Sequence, residues 1–190
     1  MCFGEMPVGR LTAFEGHVMS PVIATIDFEM TALSYQADMI EAGIALWRPD
    51  EPIRTWSSLV RPRPDCLWSE ESAKIHRIAR RELEEAPEPA VVATRLNELL
   101  VETEIVYCDG LPYDQVWMRG LFWAADIKPT FRLTDIWRMP GLDIASQAKR
   151  MRRWLDEVTL TRHRAGPDAA NLLCAYAYAL GYEPQVVAVA

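Results

Sequence analysis

The sequence is short of lysine, of paired cysteines and of long apolar runs. Lysine occurs three times against 17 arginines among 190 residues. The four cysteines form no Cys-x-x-Cys pair, which argues against a zinc site and suits a reducing compartment, so we expect a cytoplasmic protein. Residues 1–20 lack the basic and apolar regions of a secretory signal, and no apolar run is long enough to span a bilayer. We therefore expect no membrane partner.

The charge balance is acidic, with a formal net charge of -7. An acidic protein can still bind nucleic acid if its basic residues are gathered on one face. The excess of arginine suits phosphate recognition by planar guanidinium groups, and a genomic composition bias explains it equally well. The length fits one domain, and we expect a tail over residues 1–19, a domain over 20–185 and a second tail over 186–190.

The apolar patterns predict an α/β domain with a mixed five-stranded sheet flanked by helices. The predicted strands are residues 22–26, 39–47, 53–60, 105–108 and 131–136. The predicted helices are residues 70–76, 89–101, one that begins at Pro112, 144–158 and 167–180. Because three strands come first and helices then alternate with strands, we expect an antiparallel meander followed by parallel additions.

Two carboxylates, Asp27 and Glu29, come at the end of the first predicted strand. Their spacing of two residues places both side chains on one face of that strand. Ligands of α/β sheets collect at the carboxyl ends of strands, and carboxylates held together away from water need a cation. The alternative is that the strand has ended and that both side chains are solvated.

Three more titratable residues fall at positions where helices begin. Asp114 lies on the apolar stripe of its own helix with Met118, so it serves either a site on the sheet or the start of the helix. Asp168 follows Pro167 in the first turn of the last helix, where the helix dipole favours an ionised carboxylate. His163 precedes that helix and is well placed to take a proton from water.

The motifs formed by these residues resemble those of the DEDDh family of 3′–5′ exonucleases, which have a ribonuclease-H-like fold. The family motif Asp-x-Glu-x-Thr appears at residues 27–31, and Asn-x-x-Phe-Asp corresponds to residues 110–114. The motif His-Arg-Ala-x-x-Asp-Ala matches at every fixed position of residues 163–169. Residues 75–78 resemble the family segment Val/Ile-His-Gly-Ile.

The resemblance implies a metal-dependent exonuclease that acts on the 3′ ends of single-stranded DNA, RNA or short oligonucleotides. It implies two Mg²⁺ or Mn²⁺ ions held by four carboxylates, Asp27, Glu29, Asp114 and Asp168. It implies that His163 accepts the proton of the attacking water. Four residues are the expected substrate contacts: Thr31, Ala32, Leu33 and His76. Several relatives work as dimers, so a homodimer is one expected assembly.

The sequence departs from the family pattern at Asp109-Gly110, where relatives usually have His-Asn, and at Arg77, where they have glycine. Asp109 is either a turn residue or an additional outer contact to a metal ion. The basic run at residues 149–153 either guides a phosphate backbone or forms a solvated helix face. The alternative functions are a catalytically weak module that binds nucleic acid or a partner, and an endonuclease. Preference between DNA and RNA stays open.

Overall fold

The computed structural model describes residues 21–157 and 163–189, which form a six-stranded sheet with helices on both faces. The strands are β1 (Ile23–Met30), β2 (Met39–Trp47), β3 (Ile53–Leu59), β4 (Ile105–Cys108), β5 (Arg132–Asp135) and β6 (Val186–Ala188). Their order across the sheet is β5-β4-β1-β2-β3-β6. β2 pairs antiparallel with both β1 and β3. β4 pairs in parallel with β1 and β5, and β6 pairs in parallel with β3. The predicted α/β class and mixed sheet are confirmed.

The sixth strand corrects the predicted number of strands. Residues 186–190 were expected to form a tail, but Val186–Ala188 pairs in parallel with β3 at the edge of the sheet. All three of its side chains are exposed, so no burial pattern marks this strand in the sequence. Its pairing depends on β3, far away in the chain. The predicted tail over residues 1–19 lies outside the described residues.

Five α-helices in residues 21–157 and 163–189 connect and cover the strands. They are α1 (Glu70–His76), α2 (Pro89–Leu99), α3 (Tyr113–Ala124), α4 (Ala145–Glu157) and α5 (Ala165–Leu180). The hydroxyl of Ser69 caps α1 by accepting a hydrogen bond from the amide of Ser72, and Gly181 ends α5 with a φ of 98°. α5 begins two residues before the predicted start. Within the described ranges, none of the helices is long and apolar enough to cross a membrane.

The two faces of the sheet carry separate cores. Ala24, Ile26 and Phe28 of β1 pack into the core that includes side chains of α2 and α3. The alternate residues of β1 point to the opposite face, where α5 packs against β1, β2 and β3. Asp27 and Glu29 belong to this second set. The period of the strand therefore directs both carboxylates toward α5.

Candidate metal centre and active site

Three carboxylates meet where β1 lies under the first turn of α5. Asp27 and Glu29 project from β1, and Asp168 is the fourth residue of α5. One oxygen from each of the three side chains lies within 4.8 Å of the others. Oxygen ligands lie about 2.0–2.6 Å from a bound Mg²⁺ or Ca²⁺ ion, so oxygens at this separation can share one cation.

Burial and mutual repulsion make this cluster unfavourable without a cation. Burial, followed by repulsion from Glu29 and Asp168, raises the pKa of Asp27 well above its usual value. Burial, followed by repulsion from Asp168 and Glu41, raises the pKa of Glu29 to about 8. Oδ1 of Asp168 is buried and has no hydrogen-bond partner among the described residues. An all-oxygen cluster with an unpartnered buried oxygen fits a hard divalent cation.

The stability of the protein in EDTA should fall as the pH rises through the range in which Glu29 ionises. A carboxyl group whose pKa is raised by folding stabilises the protein below its unfolded pKa, and this contribution is lost as the pH passes the folded pKa. For Glu29 the window runs from 4.5 to about 8. The free energy of unfolding, measured by urea denaturation across this window, should therefore decrease. Mg²⁺ should restore stability at the upper end, because a cation that binds only the folded cluster would stabilise the folded state.

The variant Glu29→Gln provides the control for this pH dependence. It removes the titrating group and part of the repulsion on Asp27. We expect a flatter pH profile in EDTA and a smaller gain from Mg²⁺. A profile as steep as that of the wild type would show that other groups cause the decrease.

A close approach of α5 to β2 sets the position of Asp168. Gly43 lies in β2 directly under the helix, and a Cβ atom there would lie 2.1 Å from the carbonyl carbon of Ala165 and 2.2 Å from the nitrogen of Gly166. The hydroxyl of Thr25 donates a hydrogen bond to the carbonyl oxygen of Ala169 over 2.6 Å. Backbone contact at glycine and a buried hydrogen bond together hold the first turn of α5 on the sheet.

A buried ion pair anchors the chain just before α5. Glu41 is 1% exposed, and its carboxylate accepts two hydrogen bonds from the guanidinium of Arg164, over 2.7 and 2.6 Å. The amide of Ala165 donates a third hydrogen bond to Glu41, over 3.1 Å. Glu41 was not predicted as a site residue, although a single carboxylate inside the apolar strand 39–47 is a usable signal. Arg164 also lowers the pKa of Glu29 and so opposes the repulsion there.

His163 lies beside the cluster with its ring half-exposed. Its Nδ1 is 3.1 Å from Oδ2 of Asp168. An ionised carboxylate only accepts hydrogen bonds, so Nδ1 carries the hydrogen when Asp168 is ionised. Nε2 is then the nitrogen that can take up a proton. The anchored Arg164 is its direct neighbour in the chain.

Asp114 is buried but stands apart from the other three carboxylates. It is 3% exposed, and its Oδ2 accepts a hydrogen bond from the amide of Gly110 over 3.1 Å. A Cβ atom on Gly110 would lie 2.7 Å from Oδ1 of Asp114, so the glycine leaves room for the carboxylate. Burial raises the pKa of Asp114 to about 6, opposed by hydrogen bonds from Cys108 and Gly110. Its negative charge also contributes to the raised pKa of Asp27.

The expected substrate contacts divide into two groups. A cavity of about 160 Å³ opens beside Glu29, and its lining includes Ala32, Leu33 and His76. His76 is 1% exposed, and its Nδ1 accepts a hydrogen bond from the amide of Ile78. Thr31 is fully buried and does not line this cavity. Its hydroxyl accepts a hydrogen bond from the amide of Asp38 within the loop after β1.

A second cavity, of about 460 Å³, opens beside Asp27 and Asp168. Its lining consists of Asp27, Asp109, Leu155, His163, Asp168, Asn171 and Leu172. Asp109 therefore faces the same space as the cluster, and its negative charge contributes to the raised pKa of Asp27. Asp109 was predicted to be either a turn residue or an outer contact to a metal ion, and its position in the cavity is compatible with the second role.

Solved structures of an exonuclease from Escherichia coli share the fold of this chain. The zinc-bound complex of E. coli exonuclease I with single-stranded DNA aligns at a TM-score of 0.64 and 12% identity, over 85% of this chain and 41% of that protein. Its complex with a 5cy-dA13 oligonucleotide aligns at 0.58 and 13% identity, over 84% and 42%. The chain thus spans about two-fifths of the length of exonuclease I. At sequence identities this low, the structural similarity shows a common fold and nothing more.

A protein family accounts for the arrangement of these residues. No curated protein matches the sequence significantly. The family model described as the RNase T exonuclease matches residues 24–176. This match covers most of the chain and contains all three carboxylate motifs, with the cluster and the fold in agreement. The chain therefore belongs to the DEDDh family of exonucleases.

Proposed function

We propose that this chain removes nucleotides one at a time from the 3′ ends of single-stranded DNA, RNA or short oligonucleotides. The observation that carries the proposal is the gathering of Asp27, Glu29 and Asp168 around one point, with His163 in contact with Asp168. The fold that the chain shares with exonuclease I bound to single-stranded DNA supports it. A cytoplasmic location and a homodimer remain predictions.

The carboxylates suit two Mg²⁺ or Mn²⁺ ions, because all of their ligand atoms are oxygens. Asp27, Glu29 and Asp168 would hold one ion, and Asp114 together with Asp27 would support the second. Such ions, when bound, supply a water of lowered pKa and neutralise charge on the leaving oxygen. The raised pKa values of the four carboxyl groups would then return toward their usual range.

The remaining steps belong to side chains around the cluster. His163 would accept the proton of the attacking water at Nε2, since Nδ1 is directed to Asp168. The Glu41–Arg164 ion pair would keep the backbone next to His163 in place. Ala32 and Leu33 would contact the terminal base, because they line the cavity beside Glu29 and Leu33 is 76% exposed. Apolar contact of this kind tolerates any base.

The deciding experiment resolves products from oligonucleotides labelled at either end. With Mg²⁺, a 5′-labelled DNA or RNA strand should give a ladder that shortens with time, and a 3′-labelled strand should release mononucleotides at once. EDTA should stop both reactions, and His163→Ala should slow them about 10²-fold, as removal of a general base does. Labelled fragments longer than a mononucleotide from the 3′-labelled strand would indicate an endonuclease. Binding without turnover, even with Mn²⁺, would favour the binding module.

A further inference from the structure

The cavity of about 460 Å³ beside the cluster is acidic, and few of the groups that line it can donate a hydrogen bond. Once its carboxylates are ionised they accept only, and Leu155 and Leu172 offer no polar side-chain atoms. Among the residues described in this wall, His163 and Asn171 are the side chains that can donate. A phosphodiester entering such a cavity needs donors as well as cations, so the orientation of Asn171 matters.

The orientation of the Asn171 amide follows from its partner. Nε1 of Trp154, on α4, donates a hydrogen bond to Oδ1 of Asn171 over 3.1 Å. An indole N–H is a donor only, so the atom facing it must be the oxygen, and the amide cannot be reversed. Nδ2 of Asn171 has no hydrogen-bond partner among the described residues. The atom is not fully buried. Its two hydrogens are therefore available to the cavity.

The backbone and its neighbours hold this donor close to the cluster. Asn171 follows Asp168 by three residues on α5, so both side chains lie on the same side of the helix. Trp154 is itself fixed by contact with the ring of Tyr178, with centroids 5.0 Å apart. A donor held by a helix and a packed indole needs little ordering when substrate binds.

We propose that Asn171 donates a hydrogen bond from Nδ2 to a non-bridging oxygen of the 3′-terminal phosphodiester. Trp154 acts as the positioning residue that turns Nδ2 toward the substrate. This inference rests on the proposed exonuclease function. A neutral amide suits the place, because it supplies a donor to the phosphate without forming an ion pair with Asp27 or Asp168, which would compete with the cations.

The test measures oligonucleotide binding by fluorescence anisotropy in the His163→Ala background with Mg²⁺, where turnover is slow. Three variants are compared: Asn171→Ala, Asn171→Asp and Trp154→Phe. The ligands carry at their terminal linkage either a phosphodiester or one diastereomer of a methylphosphonate, in which a methyl group replaces one non-bridging oxygen. Asn171→Asp still accepts the indole N–H, so it removes the donor without removing the contact to α4.

With the phosphodiester, Asn171→Ala should raise Kd roughly tenfold, which is typical of a lost hydrogen bond to a charged group. Asn171→Asp should raise it further, and Trp154→Phe should raise it less. With one methylphosphonate diastereomer, the effect of Asn171→Ala should disappear, and with the other it should persist. An equal effect on all three ligands, or none, overturns the inference alone. Failure of the parent protein to bind any of the ligands overturns the proposed function as well.

Discussion

Asp27→Asn should lose nuclease activity by about 10³-fold or more and yet be more stable than the wild type in EDTA near pH ~8. Burial and repulsion from four neighbouring acids all raise the pKa of Asp27. A neutral amide at this position removes the repulsion, and its N–H groups can donate hydrogen bonds to Glu29 and Asp168. Activity should be lost because the remaining carboxylates would hold a divalent cation less tightly.

The two effects are separated by measuring turnover and urea denaturation on the same preparations. Mg²⁺ should stabilise the wild type clearly and Asp27→Asn only weakly. Asp143→Asn is the matched control, because Asp143 is exposed and lies outside the cluster, so this variant should keep both activity and stability. Equal stabilisation of wild type and Asp27→Asn by Mg²⁺ would show that Asp27 is not a ligand. A less stable Asp27→Asn in EDTA would contradict the repulsion.

The architecture was largely predictable because its strands are marked by apolar patterns. The bounds of β2 and β4 were predicted correctly, as both are buried runs of apolar residues. For β1 the predicted apolar run covers residues 22–26 with Asp27 and Glu29 at its carboxyl end, and the strand continues through both to Met30. Pairing with β2 extends over these carboxylates, and no local pattern reports such pairing. β6 was missed for the same reason.

The residues of the candidate site that belong to sequence motifs were predictable, whereas those whose positions depend on contacts across the fold were not. Asp27, Glu29 and Asp168 were selected from motifs, and the structure brings them together. Glu41 and Asn171 were missed, because their roles depend on Arg164 and Trp154 across the fold. The Trp154–Asn171 pair can be recognised only once α4 packs on α5, and the Glu41–Arg164 pair only once α5 crosses over β2.

That crossing depends on a residue without a side chain. A glycine inside a buried strand weakens the strand, so its presence at position 43 of β2 indicates a close backbone approach. The glycine can be read from the sequence, but the segment that approaches it cannot. In the structure this segment is residues 165 and 166, which lie against Gly43 at a distance that leaves no space for a methyl group. Asp168 and His163 are both positioned through this contact.

Gly43→Ala should therefore destabilise the protein by about 3 kcal/mol or more, at or above the upper end for overpacked cores. The added Cβ would meet backbone atoms of Ala165 at 2.1 and 2.4 Å, and backbone cannot rotate away as a flexible side chain can. If the variant folds, the first turn of α5 must move away from β1. A displacement of about 1 Å at Asp168 and His163 should then lower kcat about 10²-fold.

Gly120→Ala is the matched control for this prediction. Gly120 lies within α3, and a Cβ atom there would have no neighbour within 4 Å. Alanine is the better helix former, so this variant should gain about 0.5–1 kcal/mol in the free energy of unfolding and keep its activity. Urea denaturation and turnover of a labelled oligonucleotide measure both. A Gly43→Ala protein as stable and active as the wild type would show that α5 is not held on β2 by backbone contact, and that the carboxylate cluster is positioned by the Glu41–Arg164 pair and Thr25 instead.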